Sequence, residues 1–178
     1  MPQWASKNVT LREAMKMTAM ITIPAKLRER LEELGAKRDT PLEELIVTAL
    51  DEKFSLLNPE DRVEIHLELC EKYLNEAEEF LRKRDSVQAS EKGWGAASQI
   101  LKGMAAKEGK ELSSHRELWE YVPELRKRYQ DEEISVLWHR ANALHTNFYE
   151  NWMPLDEVEL AVRDVRRFVE KLRRLMGV

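Results

Sequence analysis

Apolar residues recur along most of the chain at steps of three and four, the period of helices with one buried side. Asn58 followed by "PED" is a strong helix start, and Val63, Leu67, Cys70, Leu74, Ala77 and Leu81 continue from it as one stripe. A break at "KRDS" precedes a second long helix, "VQASEKGWGAASQILKGMAAKEG". Its Gly93 and Gly95 each cost about 1 kcal/mol of helix propensity relative to alanine, which points to close approach by a neighbouring helix or a second subunit. "GKELSSHREL" reads as a loop entering a helix, with Ser114 and Glu117 as its capping box. Pro123 predicts that this helix is short or bent. A further helix covers about Glu132 to Trp152. Pro154 marks a fresh start, and Val158, Val162, Val165, Phe168, Val169, Leu172, Leu175 and Met176 line the last helix. Two long helices, a short insert and two more helices make an antiparallel up-and-down bundle over residues 58–178.

The period changes in residues 1–57. Thr18, Met20 and Thr22 alternate with Ala19, Ile21 and Ile23, the pattern of a short strand with one buried face, and Pro24 ends it. Leu27, Leu31 and Leu34 then mark one side of a helix that closes at Gly35 or in the following "AKRD". In "DTPLEEL", Thr40 can cap a second helix, Pro41 suits its first position and Glu43 completes a capping box. That helix turns Leu42, Leu45, Ile46, Ala49 and Leu50 inward. A strand and two helices of this size cannot bury a core alone, and a lone strand needs a partner. The expected fold is therefore mainly α: a strand-helix-helix unit over residues 1–57, then the bundle over residues 58–178.

Composition narrows the function classes. With 178 residues, 35% of them charged, 43% hydrophobic and only six glycines and six prolines, the chain reads as mostly helical and able to bury a real core. No apolar run approaches the length of a membrane span, and "MPQWASKNVTLREA" lacks the order of a signal peptide, so a cytoplasmic protein with no membrane partner is expected. The single cysteine, Cys70, excludes an internal disulfide framework and a cysteine-based zinc site, and its place on an apolar stripe suits a buried thiol. His66 shares that face, but two potential ligands do not make a metal site, so neither metal nor cofactor is expected. The net charge of -4 leaves only local contact with nucleic acid. Abundant Glu, Lys and Arg beside few Gln fit the bias of hyperthermophile, or thermophile, proteins. A Gly-rich phosphate loop, a glycosidase acid pair, His-x-x-x-His and a serine elbow are all missing from the sequence.

The candidate chemistry lies in "RANALHTNFYENW", residues 140–152. At about 100° per residue, Ile134, Trp138, Ala141, His145, Phe148 and Trp152 fall on one apolar stripe, with Arg140, Leu144, Asn147 and Asn151 on another beside it. His145 therefore points toward the core or a buried interface. Arg140 stands roughly 140° around the helix from it, and Asn142, three residues before His145, is closer in angle. His115, at the start of its helix, reads as an exposed or capping residue.

Two resemblances extend these readings. "ITIPAKLRERLEELGAKRDTPLEELIVTAL" resembles the ribbon-helix-helix family, whose dimers pair two strands as an antiparallel ribbon in the DNA major groove. The resemblance implies that Thr18, Met20 and Thr22 face the bases and that the helix end near Thr40 meets a phosphate. The chain departs from that pattern, because base-reading ribbons present Arg, Lys, Asn or Gln, and basic and acidic residues balance over residues 1–57. A dimerisation arm without DNA contacts is the alternative.

"DSVQASEKGWGAASQILKGMAAKEGKELSSHRELWEYV" together with "RANALHTNFYENWMPLDEVELAVRDVRRFVEKL" resembles the archaeal PaREP family, a branch of the HEPN superfamily, over roughly residues 60–175. HEPN domains are dimeric helical bundles, many with an Arg-x(4 to 6)-His motif on a late helix, and "RANALH" fits that motif. The resemblance implies a metal-independent ribonuclease. Arg140 would hold the scissile phosphate, His145 would act as general acid or base, and Asn142 would orient one of them, with each subunit of a homodimer supplying half a site. An acidic chain binds RNA only if Arg126, Lys127, Arg128, Arg140, Arg166, Arg167, Arg173 and Arg174 gather on one face. Three classes of function follow: a metal-independent endoribonuclease or RNA-binding protein of a toxin or defence system, a DNA-binding regulator acting through residues 17–54, or a non-catalytic dimeric scaffold for a protein partner such as a nucleotidyltransferase.

Overall fold

A computed structural model of the protein describes residues 20–38 and 40–178. Among them are seven helices: α1 (Ala25–Arg38), α2 (Leu42–Phe54), α3 (Pro59–Arg82), α4 (Ser86–Lys107), α5 (His115–Tyr129), α6 (Glu133–Glu150) and α7 (Leu155–Met176). The expected bundle is present. α4 is its centre and packs against α3, α6 and α7, while the shorter α5 lies mainly on α6. No helix among the described residues is long and apolar enough to cross a membrane.

Small side chains give α4 its central place. A Cβ on Gly93 would lie 2.7 Å from Leu144 Cδ1 of α6 and 3.3 Å from Val162 Cγ2 of α7, and one on Gly95 would lie 3.1 Å from the Tyr73 ring of α3. The glycines thus accept their helix-propensity cost because three neighbours approach the backbone there. Tyr73, Leu74, Ile100, Leu101, Trp138, Leu144, Phe168 and Leu172 fill the surrounding core.

Helix starts follow local chemistry in three places. Asn58 and Asp61 form a reciprocal capping box on α3, Ser114 and Glu117 form another on α5, and Asp85 accepts from Gln88 N at 3.0 Å at the head of α4. The far end of α6 is tied down differently. Asn147 is fully buried, its Nδ2 donating to Ser90 Oγ at 2.8 Å and its Oδ1 accepting from Met153 N at 2.6 Å, which joins α4 to the turn before α7. Asn147→Ala strands the Met153 amide and removes a bond to Ser90 Oγ, and a stability loss of about 2–3 kcal/mol is expected in urea denaturation.

Several expectations are corrected. Residues 20–24 form no strand, and Met20, Ile21 and Thr22 are exposed; Thr18 lies outside the described residues. Among the described residues no second strand is present to complete a ladder with residues 20–24. Thr40 does not cap α2. Its hydroxyl donates back to the Arg38 carbonyl at 3.1 Å, and Glu43 turns away to Lys72 and Tyr73 of α3. α5 is short as expected, at 15 residues, but Pro123 does not interrupt it, because Leu118, Tyr121, Val122 and Leu125 bury on both sides of the proline. Those four side chains, at roughly 1.5–3 kcal/mol each, outweigh a proline penalty of about 3 kcal/mol. On the apolar stripe expected for α6, Trp152 lies beyond the helix and is 56% exposed, while Leu144 and Asn147 of the second stripe are buried.

The front helices meet the bundle through charged side chains more than through close backbone packing. Glu44 accepts from Lys102 Nζ at 2.5 Å and Gln99 Nε2 at 2.6 Å, all three residues being buried. Asp51 receives Arg62 at 2.8 Å and the Leu57 amide at 2.9 Å.

Candidate functional site

Four rings from three helices converge at one end of the bundle. Trp94 comes from α4, His115 from the first turn of α5, and His145 and Tyr149 from the last two turns of α6. The α5 capping box fixes that first turn, which brings the His115 ring edge-on to Trp94 at 5.1 Å between centroids. His145 lies 4.5 Å from Trp94, 4.9 Å from His115 and 5.3 Å from Tyr149. Behind them, Trp94 rests on Trp138 at 5.0 Å. His115 and His145 are both partly exposed.

Trp94, His115, Phe148 and Tyr149 also wall a cavity of about 490 Å³ between α1–α2 and the bundle. Most of its charges are matched, Arg38 being a lining cation with no carboxylate partner among the described residues. Lys102 is held by Glu44, Lys92 lies 3.5 Å from Glu76 and 3.9 Å from Glu91, and Arg28 is 2.7 Å from Glu32. Burial pushes the Glu91 carboxyl above the usual range, although Lys92 pulls the other way. Burial also pushes Glu43 upward, but the Lys72 and Tyr73 hydrogen bonds and the Lys72 charge help bring it to a net position below the usual value. Two polar atoms of the lining have no hydrogen-bond partner in this network: Ser98 Oγ and His115 Nε2.

Within one chain, the structure does not bring Arg140 and His145 together. Arg140 is exposed, stands 3.6 Å from Asp164 of α7, and borders a shallow depression with Ser135 and His139 on the outer side of α6. Asn142 is half-buried, and its carbonyl accepts from Thr146 Oγ1 at 3.3 Å. Thr40 lines the cavity, whereas Met20 and Thr22 stand exposed away from any ladder. The basic residues that could have formed an RNA-binding face are largely neutralised: Arg126 by Glu132, Arg128 by Glu108, Arg166 by Glu78, Arg167 by Glu133 and Arg173 by Glu71.

Cys70 is fully buried, and burial pushes its thiol up to about 12, so it is a packing residue in the folded chain. His66 Nδ1 lies 2.7 Å from Gln99 Oε1, and burial draws its imidazole below the ordinary value despite that bond. No group of three or more His, Cys, Asp or Glu side chains among the described residues is placed to hold a metal ion. Sequence reasoning missed Trp94, Ser98 and His115 as neighbours. The signal that could have found Trp94 is "GWG", a large ring between two residues without side chains inside a helix.

Residues 65–169 match the model of the archaeal PaREP1/PaREP8 family, and the chain belongs to that family. No curated protein and no solved structure matches it significantly.

Proposed function

We propose that the protein acts on RNA as a HEPN-type homodimer, cleaving the strand beside the Trp94–His115–His145 cluster without a metal ion. The observation that supports this reading best is the pair of imidazoles from different helices, His115 and His145, with centroids 4.9 Å apart on partly exposed residues. Cleavage requires one group to take the proton of the ribose 2′-hydroxyl and another to protonate the departing 5′-oxygen. The 2′-oxygen bonds to phosphorus as the P–O5′ bond breaks, leaving a 2′,3′-cyclic phosphate and a 5′-hydroxyl. Imidazole suits both proton transfers near neutral pH.

The charge that develops on the phosphoryl oxygens calls for a guanidinium. Arg140 lies around α6 from the His145 of its own chain, beside Asp164. In this reading it therefore serves the site of a second copy, and each chain supplies half of two equivalent sites.

Complementation tests both parts. Wild-type protein is expected to cleave single-stranded RNA in EDTA, leaving cyclic-phosphate ends. Arg140→Ala, His145→Ala and His115→Ala are each expected to lose about 10²-fold or more in rate while keeping their melting curves. Mixing Arg140→Ala with His145→Ala chains restores one intact site per mixed dimer and so part of the activity. An intact substrate with wild-type protein would sink the proposal, and a mixture as inactive as its components would remove the shared-site arrangement.

A further inference from the structure

We propose that the cavity between α1–α2 and the bundle binds an uncharged nucleobase ring, either free as a nucleoside or presented by a strand. This inference goes beyond the cleavage reading and does not rest on it. A volume of about 490 Å³ is in the range of small-molecule sites. Its aromatic wall, Trp94, Phe148, Tyr149 and His115, offers faces and edges to a planar ligand, and such stacking tolerates any base.

Ser98 carries the polar half of the argument. It lines the cavity, is only 7% exposed, and its Oγ has no hydrogen-bond partner. A serine inside a helix ordinarily satisfies itself by folding its hydroxyl onto the carbonyl four residues back. Ser90, two turns earlier on α4, does so with Ser86 O at 2.7 Å. Ser98 does not, and His115 Nε2 on the same lining is likewise unpartnered. Buried polar groups are rarely left so. A hydroxyl and an imidazole nitrogen can both donate or accept, which matches the mixed donor and acceptor edge of a nucleobase.

The charges give a phosphorylated ligand little. Lys92 and Lys102 already have carboxylate partners, Glu91 would face an added anion, and Glu43 is held by Lys72. Arg38, a lining cation with no carboxylate partner among the described residues, stands exposed to water. Recognition therefore belongs to the base, and a phosphate adds little.

Isothermal titration of the full chain with adenosine, guanosine, cytidine and uridine is the test, with each 5′-monophosphate and short homopolymer RNA as comparisons. At least one nucleoside is expected to saturate one site per chain, with its monophosphate binding no more tightly. Ser98→Ala is expected to weaken that binding about fivefold to tenfold while leaving the melting temperature unchanged or higher, because it removes an unsatisfied hydroxyl. Tyr149→Ala, at an exposed position, is expected to weaken it about tenfold. Displacement of the nucleoside by the matching homopolymer identifies a strand as the source of the base, and no displacement identifies the free nucleoside. The proposal is overturned if no nucleoside binds, if binding is indifferent to both substitutions, or if a monophosphate binds more than tenfold tighter than its nucleoside. Cleavage can fail while these titrations succeed, so the two proposals are separable.

Discussion

Trp138→Ala is expected to lower the stability of the folded chain by about 3–5 kcal/mol, the largest effect of any single truncation considered. Trp138 is fully buried, with Trp94, Trp119 and Phe168 at 5.0, 5.7 and 6.2 Å between ring centroids. Removing the indole leaves a void lined by other rings on rigid helices, which cannot collapse to fill it. Trp138→Phe should be much milder, below about 1.5 kcal/mol. The indole Nε1 has no hydrogen-bond partner, so phenylalanine loses volume but no bond. Urea denaturation of the two variants checks the contrast; equal losses would mean that the indole nitrogen is engaged after all. Because Trp94 leans on Trp138, the alanine variant should also lose the aromatic wall of the cavity.

Glu44→Ala carries the second largest effect and should be read locally. Glu44 and Lys102 have side chains only 11% and 8% exposed, so deleting the carboxylate leaves an ammonium buried without its counter-charge. Breaking such a pair from one side costs about 3–5 kcal/mol. Global unfolding is not the cheapest relief. α2 can lift away and return Lys102 to water, so the loss is capped by the free energy that docks α1–α2. The expected outcome is protease cleavage between residues 38 and 58 under conditions where the bundle stays folded, together with loss of binding in the cavity that these helices close. Lys102→Met in the same chain should restore much of the resistance, since no unpaired charge remains. Wild-type protease resistance in Glu44→Ala would show that the ion pair is not what anchors α2.

The parts of the fold legible in the sequence are those set by short-range chemistry. The α3 and α7 stripes, the Asn58 and Ser114 caps and the crowding at Gly93 and Gly95 all depend on neighbours within a turn or on one packed face, and the structure has them. The position of the front helices was not legible. Glu43 and Glu44 reach partners 29 to 58 residues away, and no local pattern announces which lysine a glutamate will meet. The strand pattern over residues 18–23 is a similar case, since a period of two says which face would be buried but not whether a second strand exists. At Pro123 a local rule was overridden by burial on either side.

The candidate site divides along the same line. Helical geometry correctly separated Arg140 from His145 and turned His145 toward rings, as its contacts with Trp94 and Tyr149 bear out. It could not supply His115, whose approach depends on where the loop after α4 delivers the start of α5. It did not say how deep the second stripe lies: the α6 surface that faces Gly93 and Ser90, with Leu144 and Asn147, is buried as deeply as the aromatic side.

The central position of α4 has a consequence for the order in which the protein is made. Its backbone is covered on one side by α3, which leaves the ribosome first, but on the others by α6 and α7, which emerge later. Contacts such as Lys107 with the Met176 carbonyl, 69 residues apart, and Arg166 with Glu78, 88 apart, close only when the last helix is out. Until then the small-residue face of α4 is open, and an α3–α4 hairpin displays a groove shaped for another helix. A nascent or truncated chain is thus poised to take a helix from a neighbouring copy, and domain exchange through α7 is the misassembly this topology invites.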